Sequence, residues 1–143
     1  MKVAINGMGR IGRLLFRRLL HHPETQVVAV NDIMPVENLA YLLKYDSVYG
    51  TLETGITAKD GFIHAGEKKI AALQADHPSK LPWKELDVDV VLECSGQFSN
   101  HAAASEHLKA GAKKVLLSTT GSADIPLLIY GFNHTKATAD VHI

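Results

Sequence analysis

The feature that most constrains the fold is the glycine-rich segment Asn6–Arg13, which reads Asn-Gly-Met-Gly-Arg-Ile-Gly-Arg. It follows the short apolar run Val3–Ile5 and precedes apolar residues at helical spacing. A strand, a Gly-x-Gly-x-x-Gly turn and a helix, in this order, are typical of the phosphate-binding turn of a dinucleotide-binding βαβ unit. The segment therefore predicts a parallel α/β sheet with a phosphate-bearing ligand at the start of its first helix.

Each glycine has an expected role in such a turn. We expect Gly7 to permit a tight turn, Gly9 to let the backbone approach a pyrophosphate, and Gly12 to let the helix pack closely on the strand. The phosphates would lie at the helix N-terminus, where free N–H groups and the helix dipole favour an anion. Three glycines alone are equally compatible with a ligand-free turn from strand to helix, so a second signal is needed.

That second signal is Asp32, which follows the apolar run Val27–Val30 and stands 20 residues beyond Gly12. An acidic residue at this spacing is expected to accept hydrogen bonds from the hydroxyls of an adenine ribose. A 2′-phosphate would place negative charge against the carboxylate. The sequence therefore predicts a dinucleotide ligand, with NAD favoured over NADP.

The remaining pattern alternates strands with helices. Predicted strands are Lys2–Ile5, Gln26–Asn31, Val88–Cys94, Lys114–Ser118 and Leu127–Tyr130, and predicted helices cover about residues 10–20, 36–43 and 100–110. Short β-like pieces between residues 55 and 73, punctuated by Asp60-Gly61, predict an antiparallel excursion. The predicted fold class is α/β, a Rossmann-type doubly wound, mostly parallel sheet with a small antiparallel excursion, forming one domain over residues 1–143.

The first predicted helix has an apolar side and a basic side. Ile11, Leu15 and Leu19 recur at the spacing of one helical face, which predicts that this face is buried. Arg10, beside the glycine turn, is the arginine expected to serve a phosphate site. A solvated helix face is the expected place of the other three arginines, Arg13, Arg17 and Arg18.

Composition excludes several other classes of function. Fifteen basic and 15 acidic residues give zero net charge, so there is no electrostatic case for nucleic acid or an anionic membrane as a partner. No apolar run approaches the roughly 18 residues of a membrane span, and the start lacks the apolar core of a signal peptide. A single cysteine excludes an internal disulfide. We expect a cytoplasmic protein without membrane or nucleic-acid partners.

No catalytic or metal-binding residue is predicted. Cys94 ends a predicted buried strand and is expected to behave as a small hydrophobic residue, rather than as a nucleophile with His101 or His107 as its base. Glu93 alternates to the other face of the strand and is expected to be a satisfied carboxylate rather than a general base. The eight histidines show no metal-ligand spacing.

Five segments, in order, resemble the phosphorylating glyceraldehyde-3-phosphate dehydrogenases, which usually have Phe at the position of Met8. The segments are Ile5–Arg13, Val30–Asp32, Tyr41–Ser47, Asp89–Gly96 and His107–Val115. They span essentially the whole chain but correspond only to the family's N-terminal cofactor domain. The resemblance implies a part of an NAD-dependent oxidoreductase of glycolysis that converts an aldehyde phosphate to an acyl phosphate. Erythrose-4-phosphate dehydrogenase, a close relative, is an alternative parent.

The resemblance also implies roles for single residues. The backbone of Arg10 and Ile11 would meet the pyrophosphate, Ser95 and Gly96 would line the cofactor groove, and Ser118 would lie toward the nicotinamide half. Plain turns after strands are the alternative for the last three. With the glycine motif, the expected cofactor-binding residues are Asn6, Gly7, Gly9, Arg10, Ile11, Gly12, Asp32, Ser95, Gly96 and Ser118.

The resemblance places the family's catalytic thiolate, in a Ser-Cys-Thr-Thr-Asn motif, a few residues beyond Ile143, with its activating histidine in a second domain. Without thiolate and base we expect no hydride transfer by this chain alone. The expected partners beyond the dinucleotide are a companion catalytic domain or a second copy pairing at an open sheet edge. The alternative is a standalone, non-catalytic module that binds NAD or an adenine nucleotide.

Two departures from the family pattern bear on affinity. Asp76-His77-Pro78 stands where the family usually has Arg-Asp-Pro, so a contact at the adenine end is lost and a charge inverted. Ser118-Thr119-Thr120 replaces the family's Ser-Ala-Pro. Both departures predict weaker NAD binding than a full enzyme shows.

Overall fold

A computed structural model describes all residues from 1 to 143. The helices are α1 (Arg10–Leu19), α2 (Val36–Lys44) and α3 (His101–Lys109), and short 3-10 helices cover Pro78–Lys80 and His134–Lys136. The strands are β1 (Lys2–Asn6), β2 (Gln26–Asn31), β3 (Tyr45–Asp46), β4 (Gly50–Thr51), β5 (Ile56–Lys59), β6 (Phe62–Ala65), β7 (Lys68–Leu73), β8 (Val90–Glu93) and β9 (Lys114–Leu117). None of the helices has the length and apolar character needed to cross a bilayer.

Seven of the strands form one sheet in the order β5-β6-β7-β2-β1-β8-β9. The five strands from β7 to β9 pair in parallel, and β5, β6 and β7 pair antiparallel. The remaining strands, β3 and β4, form a separate small hairpin. The predicted Rossmann-type α/β fold with an antiparallel excursion is confirmed, because crossover helices connect parallel strands while the excursion turns through tight loops.

The sheet is covered on both faces, so its central strand buries every second residue on each side. Val3 and Ile5 of β1 lie in the larger core, against Phe16 of α1. Ala4, between them, faces the opposite core, which contains Trp83. This alternation follows from the two-residue period of a strand, and it explains why β1 is a continuous apolar run.

The predicted buried face of α1 is confirmed in part: Leu15 and Leu19 are partly buried against the larger core, but Ile11 is not, and the most buried positions lie elsewhere on the helix. Phe16 and Leu20 are fully buried, together with Gly12, whereas Ile11 is 50% exposed. These three buried positions are four residues apart, so they share one helical face centred on the glycine that touches the strand. Because glycine has no side chain, a count of apolar residues missed the centre of this face.

The predicted strand over Leu127–Tyr130 does not form. Tyr130 is 92% exposed, and the segment is irregular. The Asn133 side chain occupies the backbone groups that a strand would use: Ile129 N donates to Asn133 Oδ1 at 2.6 Å, and Asn133 Nδ2 donates to Leu127 O at 2.9 Å. Such local bonding by asparagine competes with sheet pairing.

The start of α3 is fixed by a local hydrogen bond from its first turn to the preceding residue. Asn100 is its N-cap, and the Asn100 side chain accepts a hydrogen bond from Ala103 N at 2.9 Å. This bond satisfies one of the first-turn N–H groups that a helix leaves free. The cap positions α3 so that His107, in its last turn, lies buried behind β8.

Candidate functional site

A cleft opens at the carboxyl ends of the central parallel strands, with a volume of about 220 Å³. Ligands of open α/β sheets bind at this place, where the strand order reverses direction. The ends of β1 and β2 and the loops that follow β1, β2, β7 and β8 contribute its lining: Asn6, Gly7, Gly9, Asn31, Asp32, Ile33, Ala75, Asp76, His77, Pro78, Cys94, Ser95, Gln97 and Phe98.

The glycine turn packs between the end of β2 and the loop after β8. Gly7 has φ +90° and donates its N–H to Asn31 O at 2.8 Å. A Cβ on Gly7 would lie 2.4 Å from Ser95 N, and a Cβ on Gly12 would lie 2.0 Å from Gly7 O. By contrast, a Cβ on Gly9, which also lines the cleft, would meet nothing within 4 Å. The turn is therefore tightly held on its protein side and open on its ligand side.

The first turn of α1 is suited to an anion. Gly9 is its N-cap and offers no side-chain hydrogen bond, and no acidic residue lies in the first turn. The N–H groups of Arg10 and Ile11 consequently have no capping acceptor from a side chain. Both residues are exposed beside the cleft, and the helix dipole favours negative charge at this end.

Asp32 lies in the cleft and also ties the glycine turn to β2. Its Oδ2 accepts from Met8 N at 2.6 Å, and its Oδ1 accepts from Met34 N at 3.0 Å. A carboxylate oxygen has two lone pairs, so each oxygen retains the capacity to accept another hydrogen bond. The arrangement leaves Asp32 able to bind a ribose hydroxyl while it holds the turn.

Glu93 is the buried polar centre beneath the cleft. It is 1% exposed and accepts from Asn6 Nδ2 at 2.6 Å, from Ser95 N at 2.7 Å, from Ser95 Oγ at 2.5 Å and from His107 at 2.9 Å. Burial by itself raises the pKa of Glu93, but hydrogen bonds from His107, Ser95 and Asn6 outweigh it and hold the pKa below its ordinary value. The expected satisfied carboxylate is confirmed.

Cys94 follows Glu93 and has a thiol that burial keeps protonated. Burial raises the pKa of the Cys94 thiol above its ordinary value, and the neighbouring Glu93 carboxylate adds to the rise. A raised pKa disfavours the thiolate that a nucleophile requires. Elsewhere, the structure holds no group of three or more His, Cys, Asp or Glu residues that would bind a metal ion.

The arginines of α1 separate into two groups. Arg13 Nη1 donates to Met8 O at 2.9 Å, and Arg17 Nη2 donates to Gly50 O at 2.7 Å. The expectation that both belong to a solvated face was wrong, because a guanidinium carries several donors in one plane and readily bridges backbone carbonyls. Arg18 is exposed as expected, and Arg10 is exposed beside the cleft.

Most of the predicted site residues come together. Asn6, Gly7, Gly9, Asp32 and Ser95 line the cleft, and Arg10, Ile11 and Gly12 begin the adjacent helix; Gly96 directly follows Ser95. Ser118 is not part of the lining, although its N–H donates to Glu93 O at 3.0 Å beside the end of β8. Asp76, in the cleft, pairs through Oδ1 with Lys80 Nζ at 2.7 Å.

Sequence reasoning missed Asn31 and Phe98, which also line the cleft. Asn31 Nδ2 donates to Asn6 Oδ1 at 2.7 Å, and Ala75 N donates to Asn31 Oδ1 at 2.8 Å. The available signal was an amide side chain at the end of a buried apolar strand, directly before the predicted ribose-binding acid. Phe98 carried no comparable signal.

Fold and cleft together define the class as a dinucleotide-binding α/β domain of the Rossmann type. The family model for "Glyceraldehyde 3-phosphate dehydrogenase, NAD binding domain" matches residues 1–101, and the chain belongs to this family. NAD is accordingly the cofactor of the domain. The predicted resemblance is confirmed.

Curated relatives carry the same name. The chain is 45% identical over 137 residues to a glyceraldehyde-3-phosphate dehydrogenase of Chlamydia muridarum, and the match covers 95% of the chain and 41% of the relative. It is 43% identical over 135 residues to that of Chlamydia pneumoniae, covering 94% and 40%. It is 42% identical over 138 residues to that of Bacteroides fragilis, covering 95% and 41%. The chain thus spans about two fifths of the length of these relatives.

Proposed function

We propose that this chain holds NAD at the carboxyl ends of β1, β2 and β8, as the cofactor part of an oxidoreductase like the glyceraldehyde-3-phosphate dehydrogenases. The single observation that carries the proposal is the convergence of the open side of Gly9, the uncapped start of α1 and the Asp32 carboxylate on one cleft. These groups match a pyrophosphate and a ribose.

Each residue then has a role in binding. The backbone N–H groups of Arg10 and Ile11 meet the pyrophosphate, and Asp32 accepts from the adenine ribose. Ser95 and Gly96 line the groove between the two nucleotide halves, and Ser118 lies toward the nicotinamide. The remaining members of the binding set are the turn residues Asn6, Gly7, Gly9 and Gly12.

The domain extends beyond the matched family segment to residue 143. α3 and β9 support this assignment, because β9 pairs in parallel with β8 and α3 packs beside it. The Lys114 side chain also binds the last residues, with Nζ donating to Ala139 O at 2.8 Å and to Val141 O at 2.5 Å.

We assign the reaction itself to groups outside residues 1–143. NAD, when bound, supplies the acceptor for a hydride, and the residues of this chain bind and orient it. The protonated Cys94 thiol is unsuited to attack an aldehyde. A companion catalytic domain would supply the thiolate and base that oxidise an aldehyde phosphate to an acyl phosphate.

Calorimetric titration with NAD, NADP and AMP tests the proposal. We expect NAD to bind more tightly than NADP. Asp32→Asn keeps the size of the side chain. It should lower the affinity for NAD roughly tenfold and reduce the preference for NAD over NADP, because a charged acceptor for the ribose hydroxyls is lost. Absence of binding by all three nucleotides would overturn the proposal, and binding of AMP alone would restrict the site to an adenine nucleotide.

Arg10→Gln and Arg18→Gln form a matched pair for the phosphate end of the site. Both arginines are exposed on α1, but only Arg10 lies in its first turn. We expect Arg10→Gln to weaken NAD a few-fold and Arg18→Gln to leave the affinity unchanged, since exposed charges act over short distances in salt. Equal effects of both would mean that Arg10 acts only through net charge.

A further inference from the structure

A buried hydrogen-bond chain begins at Trp83, behind the sheet, and ends at Glu93. Trp83 Nε1 donates to His107 Nδ1 at 2.9 Å, and His107 Nε2 lies 2.9 Å from Glu93 Oε2. All three side chains are 0–1% exposed. Because an indole N–H only donates, His107 Nδ1 must be the acceptor and carries no proton. The ring is then neutral, its proton is on Nε2, and that proton is donated to Glu93.

A second chain reaches Glu93 from the nucleotide side. Asn31 Nδ2 donates to Asn6 Oδ1, and Asn6 Nδ2 donates to Glu93 Oε2. Ser95 adds its N–H and its hydroxyl, both directed at Glu93 Oε1. Every partner of the carboxylate is therefore a neutral donor, and its buried charge is stabilised by hydrogen bonds alone.

The two residues that Glu93 binds on the nucleotide side belong to the walls of the cleft. Asn6 immediately precedes Gly7, and Ser95 begins the loop after β8. Those walls touch, because a Cβ on Gly7 would come within 2.4 Å of Ser95 N. The carboxylate thus fixes the distance between the glycine turn and the β8 loop.

We infer that Glu93, oriented by the neutral His107, is a positioning residue of the dinucleotide site, setting the spacing of the glycine turn and the β8 loop without touching the ligand. The inference rests on the proposed function. Hydrogen bonds to a buried charge are strong and directional, so their loss should move both walls.

The hydrogen-bond chain from Trp83 to Glu93 contains its own fluorescent reporter. Trp83 is the single tryptophan of the sequence. Its ring stacks on His107 at 6.1 Å, His107 meets Phe98 edge-on at 6.3 Å, and Phe98 meets His77 edge-on at 5.7 Å. Because Phe98 and His77 line the cleft, occupation of the cleft should alter the fluorescence of Trp83.

The decisive comparison is between His107→Gln and His107→Leu. Both remove the imidazole, but glutamine retains an amide N–H near the position of Nε2 that donates to Glu93, and leucine has none. We expect His107→Leu to weaken NAD about tenfold, as one hydrogen bond to a charge is lost, and His107→Gln to restore most of the affinity. Ser105→Ala, elsewhere on α3, is the control for substitution of this helix.

Glu93→Gln tests the carboxylate directly. All of its partners are donors, so the glutamine amide would face donors whichever way it is turned. We expect NAD affinity to fall at least tenfold at a temperature where circular dichroism shows the variant to be folded. If this variant does not fold, the His107 pair remains the test.

Two readouts separate positioning from a purely structural role. We expect the Trp83 emission of the wild type to change during NAD titration with the same midpoint as the calorimetric curve. Without nucleotide, we expect hydrogen exchange at Ser95 N–H and Gly7 N–H to accelerate in His107→Leu, but not in His107→Gln, while exchange in the core of β1 is unchanged.

The outcomes distinguish the two proposals. Failure of the wild type to bind NAD would overturn the proposed function, and hydrogen exchange would still decide the positioning of the two walls. Equal NAD affinity in folded His107→Leu and wild type, or unchanged exchange at Ser95 and Gly7, would overturn the positioning role. Parallel loss of affinity in His107→Gln and His107→Leu would also overturn it, because the retained donor would then have no effect.

Discussion

At the scale of single residues, Glu93 and Asp32 are two carboxylates at the ends of parallel strands on either side of β1, and their surroundings differ. Asp32 is partly exposed and accepts two backbone N–H groups, so it keeps lone pairs for a ligand. Glu93 is buried and surrounded by donors, so its lone pairs are used within the protein. We therefore propose binding for Asp32 and positioning for Glu93 on the basis of their exposure rather than their residue type.

The lowered pKa of Glu93 makes the stability of the folded state depend on pH. Its pKa in the folded chain lies below the ordinary value of 4.5, so the carboxylate contributes stability above about pH 4.5 and loses it as the pH falls through the folded pKa. We expect the thermal midpoint of the wild type to fall more steeply below pH 4.5 than that of Glu93→Gln. Calorimetric scans of both proteins over this range measure the difference, and parallel curves would contradict the expectation.

Asp76 places a second negative charge in the cleft that Asp32 lines. Removing it should strengthen the binding of an anionic dinucleotide, about two- to fivefold at low salt and less at high salt, since such interactions are screened. Calorimetry of Asp76→Asn at two salt concentrations measures this gain. Asp140→Asn, whose carboxylate is exposed and not in the cleft lining, is the control. A gain of the same size in the control would refute a local effect.

At the scale of elements, the βα turn separates folding from binding within a few residues. Gly7 has positive φ and backbone contacts on its inner side, so it serves the fold. Gly9 has φ −68°, which any residue adopts, lines the cleft and has open space at its Cβ position, so we propose that it serves the ligand. One short turn thus contains a structural glycine and a ligand-facing glycine.

Alanine at each position should reveal this division. We expect Gly7→Ala to lower the free energy of unfolding by about 2 kcal/mol or more, because its Cβ meets backbone atoms in a left-handed conformation. Gly9→Ala should unfold like the wild type but lose NAD affinity at least tenfold, because its methyl group intrudes on the pyrophosphate. Urea unfolding and calorimetry measure the two effects, and a stable Gly7→Ala or a tightly binding Gly9→Ala would contradict the division.

At the scale of the whole molecule, the two ends of the sheet differ. The antiparallel excursion forms one edge, and at the other edge His142 O accepts from Val115 N at 2.7 Å beside an apolar cleft of about 690 Å³. Leu116 and Leu127 in its lining are more than half exposed, and Tyr130 and Phe132, which follow the lining residues Leu127 and Leu128 in the sequence, are still more exposed. An exposed apolar surface of this kind favours association with another protein surface.

We propose that this edge drives self-association when no companion domain covers it. Sedimentation velocity should show mass increasing with concentration, and the double substitution Tyr130→Ser and Phe132→Ser should shift the protein toward monomer. The same changes to exposed Tyr41 of α2 and Tyr45 of β3, which lie outside this edge, are the matched control. A monomer at every concentration would refute the proposal.

Predictions that depend on neighbours along the chain held. The glycine turn between strand and helix and the Asp60-Gly61 hairpin each involve a few consecutive residues, whose backbone preferences are visible in the sequence. The predicted strand at 127–130 was wrong because an equally local competitor, the Asn133 side chain, has no pattern that an apolar run reveals. Assignment of the family rested on the same local motifs, read in order.

The sequence by itself determined the class of fold, the place of the glycine turn between β1 and α1, and the position of Asp32 directly after β2, because each depends on short-range spacing. Only the tertiary structure decided that Asn6, Glu93 and His107 meet beneath the cleft, that α1 buries Phe16, and that Arg13 binds a backbone carbonyl. The bond between Asn6 and Glu93 joins residues 87 positions apart. Such a contact cannot be inferred from sequence spacing, because the contact exists only after the sheet has brought β1 and β8 side by side.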